Sequence, residues 1–322
     1  MRVLDAAQIE AALPIDRAIA AVRAAMIALG RGALVMPPRQ VMSLVDGSGV
    51  LGVMPVSAAD PPIYGVKLFT LHPRTAAKGL PTIQGVIALF DHATGAPIAI
   101  LDAAPVTALR TAAASALATD LLARADAASH GVFGTGVQAR GHVLAVLAVR
   151  PGIARTLIWG RDAAKADALA AALAAETGRD VRAAPAEEVA ACDIVTTVTA
   201  AAAPVLHGAA LKDGAHVNLV GSHTPDRREA DGAAMARAAI YVDTRDGALS
   251  EAGDILLAIG EGAITTDAIV GEIGAVLTGA APGRRTPDQV TLYKSLGVAA
   301  QDLFAAHAVL AAREGDSGAK AG

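Results

Sequence analysis

The sequence predicts an α/β protein in which a doubly wound parallel sheet follows a smaller α+β unit. Between residues 130 and 242, short apolar runs alternate with helical patterns, which is typical of parallel strands joined by helical crossovers. Before them, apolar runs are separated by turn signals such as Asp46-Gly47 and Asp60-Pro61-Pro62, which indicate antiparallel pairing. At 322 residues the chain is long enough for two domains.

The first third of the chain contains both helical and strand-like patterns. Apolar residues recur at helical spacing from Ile9 to Leu29, with a break at Pro14. Strands are predicted at 41–45, 49–54, 65–71, 82–90 and 97–102, with a hairpin turn at 91–95. A long helix over Val106–Ala123 then leads into the parallel unit.

The segment 130–141, HGVFGTGVQARG, predicts a strand, a glycine turn and the start of a helix. Gly134 permits the tight turn, and Gly136 has no Cβ, so that a pyrophosphate can approach the backbone. Ala139 keeps the helix close to its strand, and the free N–H groups at the helix start face the anion. We favour a dinucleotide site over a plain glycine-rich turn, formed by Gly134, Thr135, Gly136, Val137, Gln138 and Ala139.

The pattern that follows predicts a six-stranded parallel sheet. Its strands are Val132–Phe133 and the runs at 156–159, 180–183, 194–198, 217–220 and 240–242. A weaker strand pattern lies at Val290–Tyr293, and Leu296–Ala312 is a predicted helix that we expect to fold back onto the first domain. The predicted domains are therefore 1–115 with 296–322, and 116–295.

Composition excludes several classes of function. A net charge of −4 without a basic run argues against nucleic-acid binding. The single cysteine, Cys192, excludes an intramolecular disulfide and a multi-cysteine metal site, and we expect it to be a small buried hydrophobe. We see neither a secretory signal nor an apolar run of membrane-spanning length, so we expect a cytoplasmic protein without a metal site.

The end of the second parallel strand predicts which dinucleotide binds. NAD enzymes usually place an acid there, on the ribose 2′-hydroxyl. Gly160 stands at that point, and Arg161 suits a 2′-phosphate, so NADP(H) is favoured over NAD(H). Two alternatives stay open: Arg161 is a solvated loop residue with Asp162 capping the next helix, or Asp162 itself reaches the ribose.

Three cationic residues of the first unit stand in apolar or tightly turned surroundings. Arg39 follows Met36-Pro37-Pro38, Lys67 lies inside an apolar strand, and Arg110 lies in the middle of a helix. Thr107 and Thr111 share a helix face with Arg110, where their hydroxyls help to bind an anion. A buried cation needs an anionic partner, and the simplest one for a convergent set is a substrate carboxylate. A structural ion pair or a snorkelling side chain is the alternative for each residue alone.

At these residues the chain resembles the ornithine cyclodeaminase/μ-crystallin family. The resemblance covers nearly the whole length and rests on MPPR at 36–39, GVKLFTLHP at 65–73, GLPTIQGVIALFD at 79–91, TGAPIAILDA at 94–103, TALRTAAASALA at 107–118, GTGVQA at 134–139 and LYKSLGVAAQDL at 292–303. It implies a homodimer in which the first domain forms the substrate site and the subunit interface, while a nicotinamide cofactor binds the second domain, a Rossmann-type sheet.

The resemblance also implies roles for individual residues. Arg39, Lys67 and Arg110 match the contacts to the substrate carboxylate and nitrogen around the nicotinamide, and Thr82 lines the same pocket. The remaining residues that we assign to the cofactor are Thr107, Thr111, Arg161 and Ser222.

One departure from the family pattern bears on the activity. Ornithine cyclodeaminases and related alanine dehydrogenases carry an Asp just after the glycine that ends the fifth strand segment. Here Ser222 and His223 follow Gly221, so the acid that a cyclodeaminase needs is missing. The form resembles that of the family's ketimine reductases, which implies reduction of Δ1-pyrroline-2-carboxylate and Δ1-piperideine-2-carboxylate to proline and pipecolate.

The expected reaction places the substrate carboxylate on Arg39 and Arg110, with Lys67 near the imine nitrogen as a proton donor. His223 either relays that proton, because its ordinary pKa lies near neutrality, or only contacts cofactor or solvent. Three alternative activities remain: ornithine cyclodeamination, NAD-linked amino-acid dehydrogenation, and an NADPH-dependent binding function like that of μ-crystallin.

Overall fold

The chain forms two compact units, each with its own sheet. The computed structural model describes residues 1–319, without the side chains of Ala76 and 314–319. One unit comprises Met1–Arg110 and the chain from Gly297 onward, and the other comprises Thr111–Leu296.

The first unit is an α+β layer of seven strands covered by helices. Its elements are β1 (Arg2–Leu4), α1 (Ala6–Ala12), α2 (Ile15–Gly30), β2 (Leu34–Val35), β3 (Gln40–Ser43), β4 (Val50–Ala58), β5 (Ile63–Leu71), β6 (Ile83–Asp91), β7 (Pro97–Asp102) and, from the end of the chain, α11 (Ala299–Ala319). The strand order is β1-β7-β6-β5-β4-β2, with β3 also paired to β4. The β3-β4, β4-β5, β5-β6 and β6-β7 pairs are all antiparallel, as the turn signals predict.

Alternation along the central strands decides which face of this sheet is buried. On β5, Ile63, Gly65 and Lys67 are buried, whereas Tyr64 and Val66 are half-buried. A Cβ on Gly65 would lie 3.2 Å from Leu303 of α11, so this glycine permits close packing of the last helix on the sheet. The helix at the end of the chain therefore packs on the first unit, as the sequence predicts, against the same face that contains Lys67.

The second unit is a doubly wound parallel sheet. The long helix α3 (Ala103–Leu122) contains the boundary between the units and is followed by β8 (Ser129–Phe133), α4 (Val137–Val149), β9 (Arg155–Trp159), α5 (Ala163–Thr177), β10 (Asp180–Ala183), α6 (Ala186–Ala190), β11 (Ile194–Thr197), β12 (His216–Leu219), α7 (Gly232–Arg237), β13 (Ala238–Val242), α8 (Arg245–Glu251), α9 (Gly253–Gly260), β14 (Ile269–Glu272), α10 (Ile273–Leu277) and β15 (Val290–Lys294). All pairings in the sheet are parallel.

The sheet has eight strands where the sequence predicts six, so that count is wrong. The observed order is β10-β9-β8-β11-β12-β15-β13-β14, with β15 inserted between two of the predicted strands. The weak pattern at Val290–Tyr293 is thus a central strand, whose polar residues Thr291 and Lys294 are fully buried with partners. The strand β14 is four residues long and includes Gly271, which leaves it little apolar pattern to recognise.

Alanine and aliphatic side chains fill the core of the second unit. Cys192 is buried among Val189, Val195 and Leu211, and burial raises the pKa of its thiol to about 11, so it behaves as the small hydrophobe expected. Within the described part of the chain, every helix is too short or too polar to traverse a bilayer.

Candidate functional site

Two buried cations of the first unit share one carboxylate. Lys67 on β5 is 5% exposed, Arg110 on α3 is 6% exposed, and Asp302 on α11 is 1% exposed. The Asp302 Oδ1 atom accepts hydrogen bonds from Lys67 Nζ at 3.0 Å and from Arg110 Nε at 3.1 Å. The strand, the helix and the last helix therefore meet at a single oxygen atom, which fixes the two cations side by side.

Lys67 and Arg110 also donate hydrogen bonds to neutral partners. Lys67 Nζ also donates to Thr107 Oγ1 at 2.7 Å, and that hydroxyl donates to the Ala103 carbonyl. Arg110 Nη1 donates to Gln301 Oε1 at 3.1 Å. An ammonium has three N–H groups and a guanidinium five, so both cations keep donors beyond those that the described residues take up.

Arg39 joins the same cluster through Gly297. Its Nη2 donates to the Gly297 carbonyl at 2.7 Å. Gly297 has a φ of +75°, and a Cβ there would overlap the guanidinium of Arg110, so both the backbone conformation and the packing require glycine. We call Arg39, Lys67, Arg110 and Asp302 the cation cluster, in which Lys67 and Arg110 share one carboxylate.

The pKa values of the buried pair reflect this balance. Burial lowers the pKa of Lys67 to about 8, Asp302 opposes that shift, and the positive charges of Arg110 and Arg39 lower it further. Burial alone would raise the pKa of Asp302, but the charges of Arg110 and Lys67 and their hydrogen bonds bring it below its ordinary value. At neutral pH Lys67 and Arg110 therefore carry more positive charge than Asp302 offsets, which suits an anionic ligand.

The structure brings together the three cations predicted from the sequence and adds Asp302, which was not predicted. Asp302 is the immediate anionic partner of Lys67 and Arg110, where the sequence predicts a substrate carboxylate. Thr82 is half-buried, and its carbonyl accepts a hydrogen bond from the His72 amide in the segment before β6. No hydrogen bond among the described residues joins Thr82 to the cation cluster.

The glycine turn of the second unit has the backbone required for a dinucleotide loop. Gly134 has a φ of +122°, and a Cβ there would lie 2.8 Å from the Val198 carbonyl oxygen, so only glycine fits. A Cβ on Gly136 would meet nothing within 4 Å, and no side chain caps the helix α4 that begins after it. Open space beside uncapped N–H groups fits a pyrophosphate, while Ala139 is buried against the sheet as predicted.

This loop lies where the strand order reverses. β8 has β9 on one side and β11 on the other, and the dinucleotide crevice of such sheets lies at the carboxyl ends of the strands at this point. At the end of β9, a Cβ on Gly160 would come within 2.7 Å of the Thr135 methyl group, which leaves no room for an acidic side chain. Arg161 is exposed next to it, and Asp162 caps α5 by accepting from the Lys165 amide.

A buried carboxylate organises the loop after β12. Glu229 is fully buried and accepts hydrogen bonds from Thr197 Oγ1, from the amide and hydroxyl of Thr199, and from the Gly221 amide, at 2.6 to 2.8 Å. Burial raises the pKa of Glu229, with the charge of Lys294 opposing the shift. Glu229 therefore ties the ends of β11 and β12 together.

Ser222 and His223, the two candidate site residues that follow Gly221, differ in their exposure to solvent. Ser222 is buried, and its hydroxyl donates to the Arg227 carbonyl at 2.5 Å. His223 is exposed, with Nδ1 3.4 Å from the Gly221 carbonyl oxygen. Both residues follow β12 at the sheet edge that also bears the glycine turn. Thr111 is buried in α3.

Beneath this loop lies a fully buried ion pair. Lys294 Nζ is 2.8 Å from Asp254 Oδ2 and donates to the Ser222 carbonyl at 2.6 Å. The other Asp254 oxygen accepts from the amides of Glu229 and Ala230. The pair therefore holds the loop through the Ser222 carbonyl and the amides of Glu229 and Ala230.

The described residues contain no group of three or more His, Cys, Asp or Glu side chains arranged to hold a metal ion.

The chain is similar to known proteins over most of its length. The model of the ornithine cyclodeaminase/mu-crystallin family matches residues 1–316. The Δ1-pyrroline-2-carboxylate reductase of Paracoccus denitrificans is 40% identical over 250 residues, which cover 76% of this chain and 77% of that protein.

Solved structures agree with this relationship. Thermococcus litoralis Δ1-pyrroline-2-carboxylate reductase in complex with NADH and L-proline superposes with a TM-score of 0.94 at 32% identity, covering 98% of both chains. An archaeal alanine dehydrogenase dimer with bound NAD has a TM-score of 0.93 at 29% identity, covering 98% of this chain and 97% of the other. From the match over residues 1–316 and these identities, the chain belongs to the ornithine cyclodeaminase/mu-crystallin family.

Proposed function

We propose that the protein is an NADPH-dependent reductase of small cyclic imino acids, converting Δ1-pyrroline-2-carboxylate or Δ1-piperideine-2-carboxylate to proline or pipecolate. The observation that carries the proposal is the cation cluster, in which Lys67 and Arg110 share Asp302 while Arg39 adjoins Arg110 through Gly297. Lys67 and Arg110 carry two positive charges against the single carboxylate of Asp302, and the remaining positive charge is neutralised by a substrate carboxylate. The names of the similar proteins support the same substrate class.

The residues of the cluster divide the work on such a substrate. Arg39 and Arg110 hold the carboxylate and thereby orient the ring, and Thr82 lines the same pocket. Lys67 has a pKa of about 8, so it is mostly protonated at neutral pH and able to donate a proton to the ring nitrogen. The nicotinamide supplies the hydride to the imine carbon.

The cofactor site that we propose lies on the second unit. Residues 134–139 hold the pyrophosphate at the start of α4, and Thr111, Ser222 and His223 of the same unit are the further candidates for contacts to the cofactor. Thr107 lies in the first unit, where its hydroxyl accepts a hydrogen bond from Lys67. NADP(H) is favoured because Gly160 leaves no room for an acid on the ribose and Arg161 is exposed at the same strand end. The similar structures hold NADH and NAD, so the choice between the two dinucleotides needs its own measurement.

The proposed activity is tested by the oxidation of NADPH and NADH in the presence of the five- and six-membered cyclic imino acids. We expect turnover with at least one ring and a higher kcat/KM with NADPH. Release of ammonia from ornithine would instead indicate cyclodeamination, NAD reduction with alanine would indicate a dehydrogenase, and tight NADPH binding without any turnover would indicate a binding protein.

We also propose a homodimer, because the second face of the first sheet is apolar and no helix among the described residues of this unit covers it. Tyr64, Val66 and Leu68 on β5 are half-buried, and Val86 on β6 is 40% exposed. Tyr64 stacks on Phe90 of the neighbouring strand at 5.3 Å between ring centroids. A face of this kind suits a second copy of the chain. Light scattering should give twice the mass of one chain, and the mass of a single chain would contradict the dimer.

A further inference from the structure

We propose that Asp302 is the positioning residue of the cation cluster: its one shared oxygen sets the spacing of Lys67 and Arg110, and its negative charge keeps Lys67 in the ammonium form that delivers a proton to the substrate nitrogen. The inference rests on the proposed function for the reaction itself. Its electrostatic part concerns the free protein and is open to measurement without any substrate.

The geometry shows that Asp302 acts through its neighbours. Its carboxylate is 1% exposed, and Oδ1 accepts from both Lys67 Nζ and Arg110 Nε. The second oxygen, Oδ2, is buried and has no hydrogen-bond partner among the described residues. A buried carboxylate oxygen without a hydrogen-bond donor is costly, whereas both oxygens of Glu229 accept hydrogen bonds. The cost is explained if the charge of Asp302 serves the two cations.

The charges that face Lys67 come from every element around it. Asp302 on α11 stabilises the ammonium form, whereas Arg110 on α3 and Arg39, which precedes β3, both oppose it, and so does burial. Thr107 adds a neutral acceptor. Asp302 is the one negative group in this set. Without it, a buried lysine beside two guanidinium groups would lose its proton near neutral pH.

Proton delivery by Lys67 accounts for the atoms of the proposed reduction. The C=N π bond breaks as the imine carbon gains a hydride from the reduced nicotinamide and the ring nitrogen gains a proton. An N–H bond of Lys67 breaks as the N–H bond of the product forms. The neutral amine of Lys67 then regains a proton from water. Two of the three Lys67 N–H groups are taken up by Thr107 and Asp302, which leaves the third for the substrate.

The test follows Lys67 directly by NMR titration of the full-length protein labelled with ¹³C-lysine, with the Lys67 signal assigned by its loss in Lys67→Met. In the wild type the signal should titrate with a midpoint of about 8. In Asp302→Asn, which keeps the shape and removes the charge, the midpoint should fall by about 1 pH unit or more. In Arg110→Met, which removes a like charge and leaves the Lys67–Asp302 pair intact, it should rise.

The pH dependence of reduction gives the matching kinetic result. Wild-type kcat/KM should decline as the pH rises through about 8, because Lys67 loses its proton there. In Asp302→Asn the decline should move to lower pH, with a loss of about tenfold or more at pH 7.5 that is regained toward pH 6. Gln301→Met, which removes neutral contacts to Arg110 and Met26 and no charge, should leave the midpoint of the decline in place.

These measurements separate the two levels of the proposal. A Lys67 midpoint below pH 7 in the wild type, or the same midpoint in the wild type and in Asp302→Asn, overturns the role of Asp302. A loss of activity in Asp302→Asn that is equal at every pH also overturns it. If the midpoints shift as expected but the wild type reduces no cyclic imino acid, the electrostatic role of Asp302 stands and the proposed function fails. If Asp302→Asn does not fold, a Lys67 midpoint below pH 7 in the wild type still overturns the electrostatic part.

Discussion

Replacement of Lys67 by Met should lower kcat/KM for reduction of Δ1-pyrroline-2-carboxylate by at least about 30- to 160-fold, which corresponds to ~2–3 kcal/mol of transition-state stabilisation. Two losses add up in this variant. The substrate nitrogen loses its proton donor, and the cation cluster loses one of its three positive charges. Met is close in length to the methylene chain of Lys, so it fills the space beside Thr107 and Phe69 without leaving a cavity. Steady-state rates with saturating NADPH measure the effect.

The matched control is Lys78→Met, which makes the same change at an exposed position of the same unit. It should leave kcat/KM within about twofold of the wild type, because an isolated exposed charge contributes little. Urea denaturation of both variants checks that the fold is intact. Wild-type kinetics in Lys67→Met would refute the assignment of the site.

Replacement of Lys294 by Met should destabilise the protein by about 3–5 kcal/mol, the range measured when one partner of a buried ion pair is removed. Lys294 and Asp254 are both fully buried, and their atoms are 2.8 Å apart. The variant leaves the Asp254 carboxylate in a dry core beside the carboxyl group of Glu229. It also removes the donor to the Ser222 carbonyl, so the loop after β12 should open first. The free energy of unfolding in urea measures the effect.

A second variant distinguishes the loss of charge balance from a simple loss of packing. The double variant Lys294→Met/Asp254→Asn removes both charges, and it should regain part of the lost stability because the amide can still accept from the Glu229 and Ala230 backbone. The ion pair between Lys212 and Asp193 offers a comparison at the surface, because the Lys212 side chain is 42% exposed. Lys212→Met should lower the free energy of unfolding by less than about 1 kcal/mol. Equal losses in Lys294→Met and in Lys212→Met would contradict this account of the core.

The fold class was predictable because it depends on patterns that survive in a sequence poor in aromatic residues. Period-two alternation marks β4 to β7, and the glycine turn with its following helix marks the start of the parallel sheet. The strands that escaped prediction, β1, β2 and β14, are two to four residues long and gain their stability from a neighbour rather than from their own pattern. In the central strand β15, two polar residues interrupt the apolar pattern, and their partners come from distant parts of the chain.

The candidate site was predictable where a charge contradicts its surroundings. Lys67 in an apolar strand and Arg110 in an apolar helix are signals of that kind, and the structure brings them together on one oxygen atom. Asp302 also lies among buried apolar residues of α11. However, an acid in the first turn of a helix is already explained by its interaction with the helix dipole, so the sequence alone gives no reason to seek a buried partner for Asp302. The pairing itself joins residues 235 positions apart, which no local pattern encodes.

The central claim is that the cation cluster binds the carboxylate of a small cyclic imine. Its most direct measurement compares NADPH-dependent reduction of Δ1-pyrroline-2-carboxylate with reduction of Δ1-pyrroline, the same ring without the carboxylate. Wild-type kcat/KM should favour the carboxylate by at least about 100-fold, or ~2.7 kcal/mol, and Arg110→Met should lose most of that preference. Equal rates for the two rings in the wild type, or an unchanged preference in Arg110→Met, would contradict the claim.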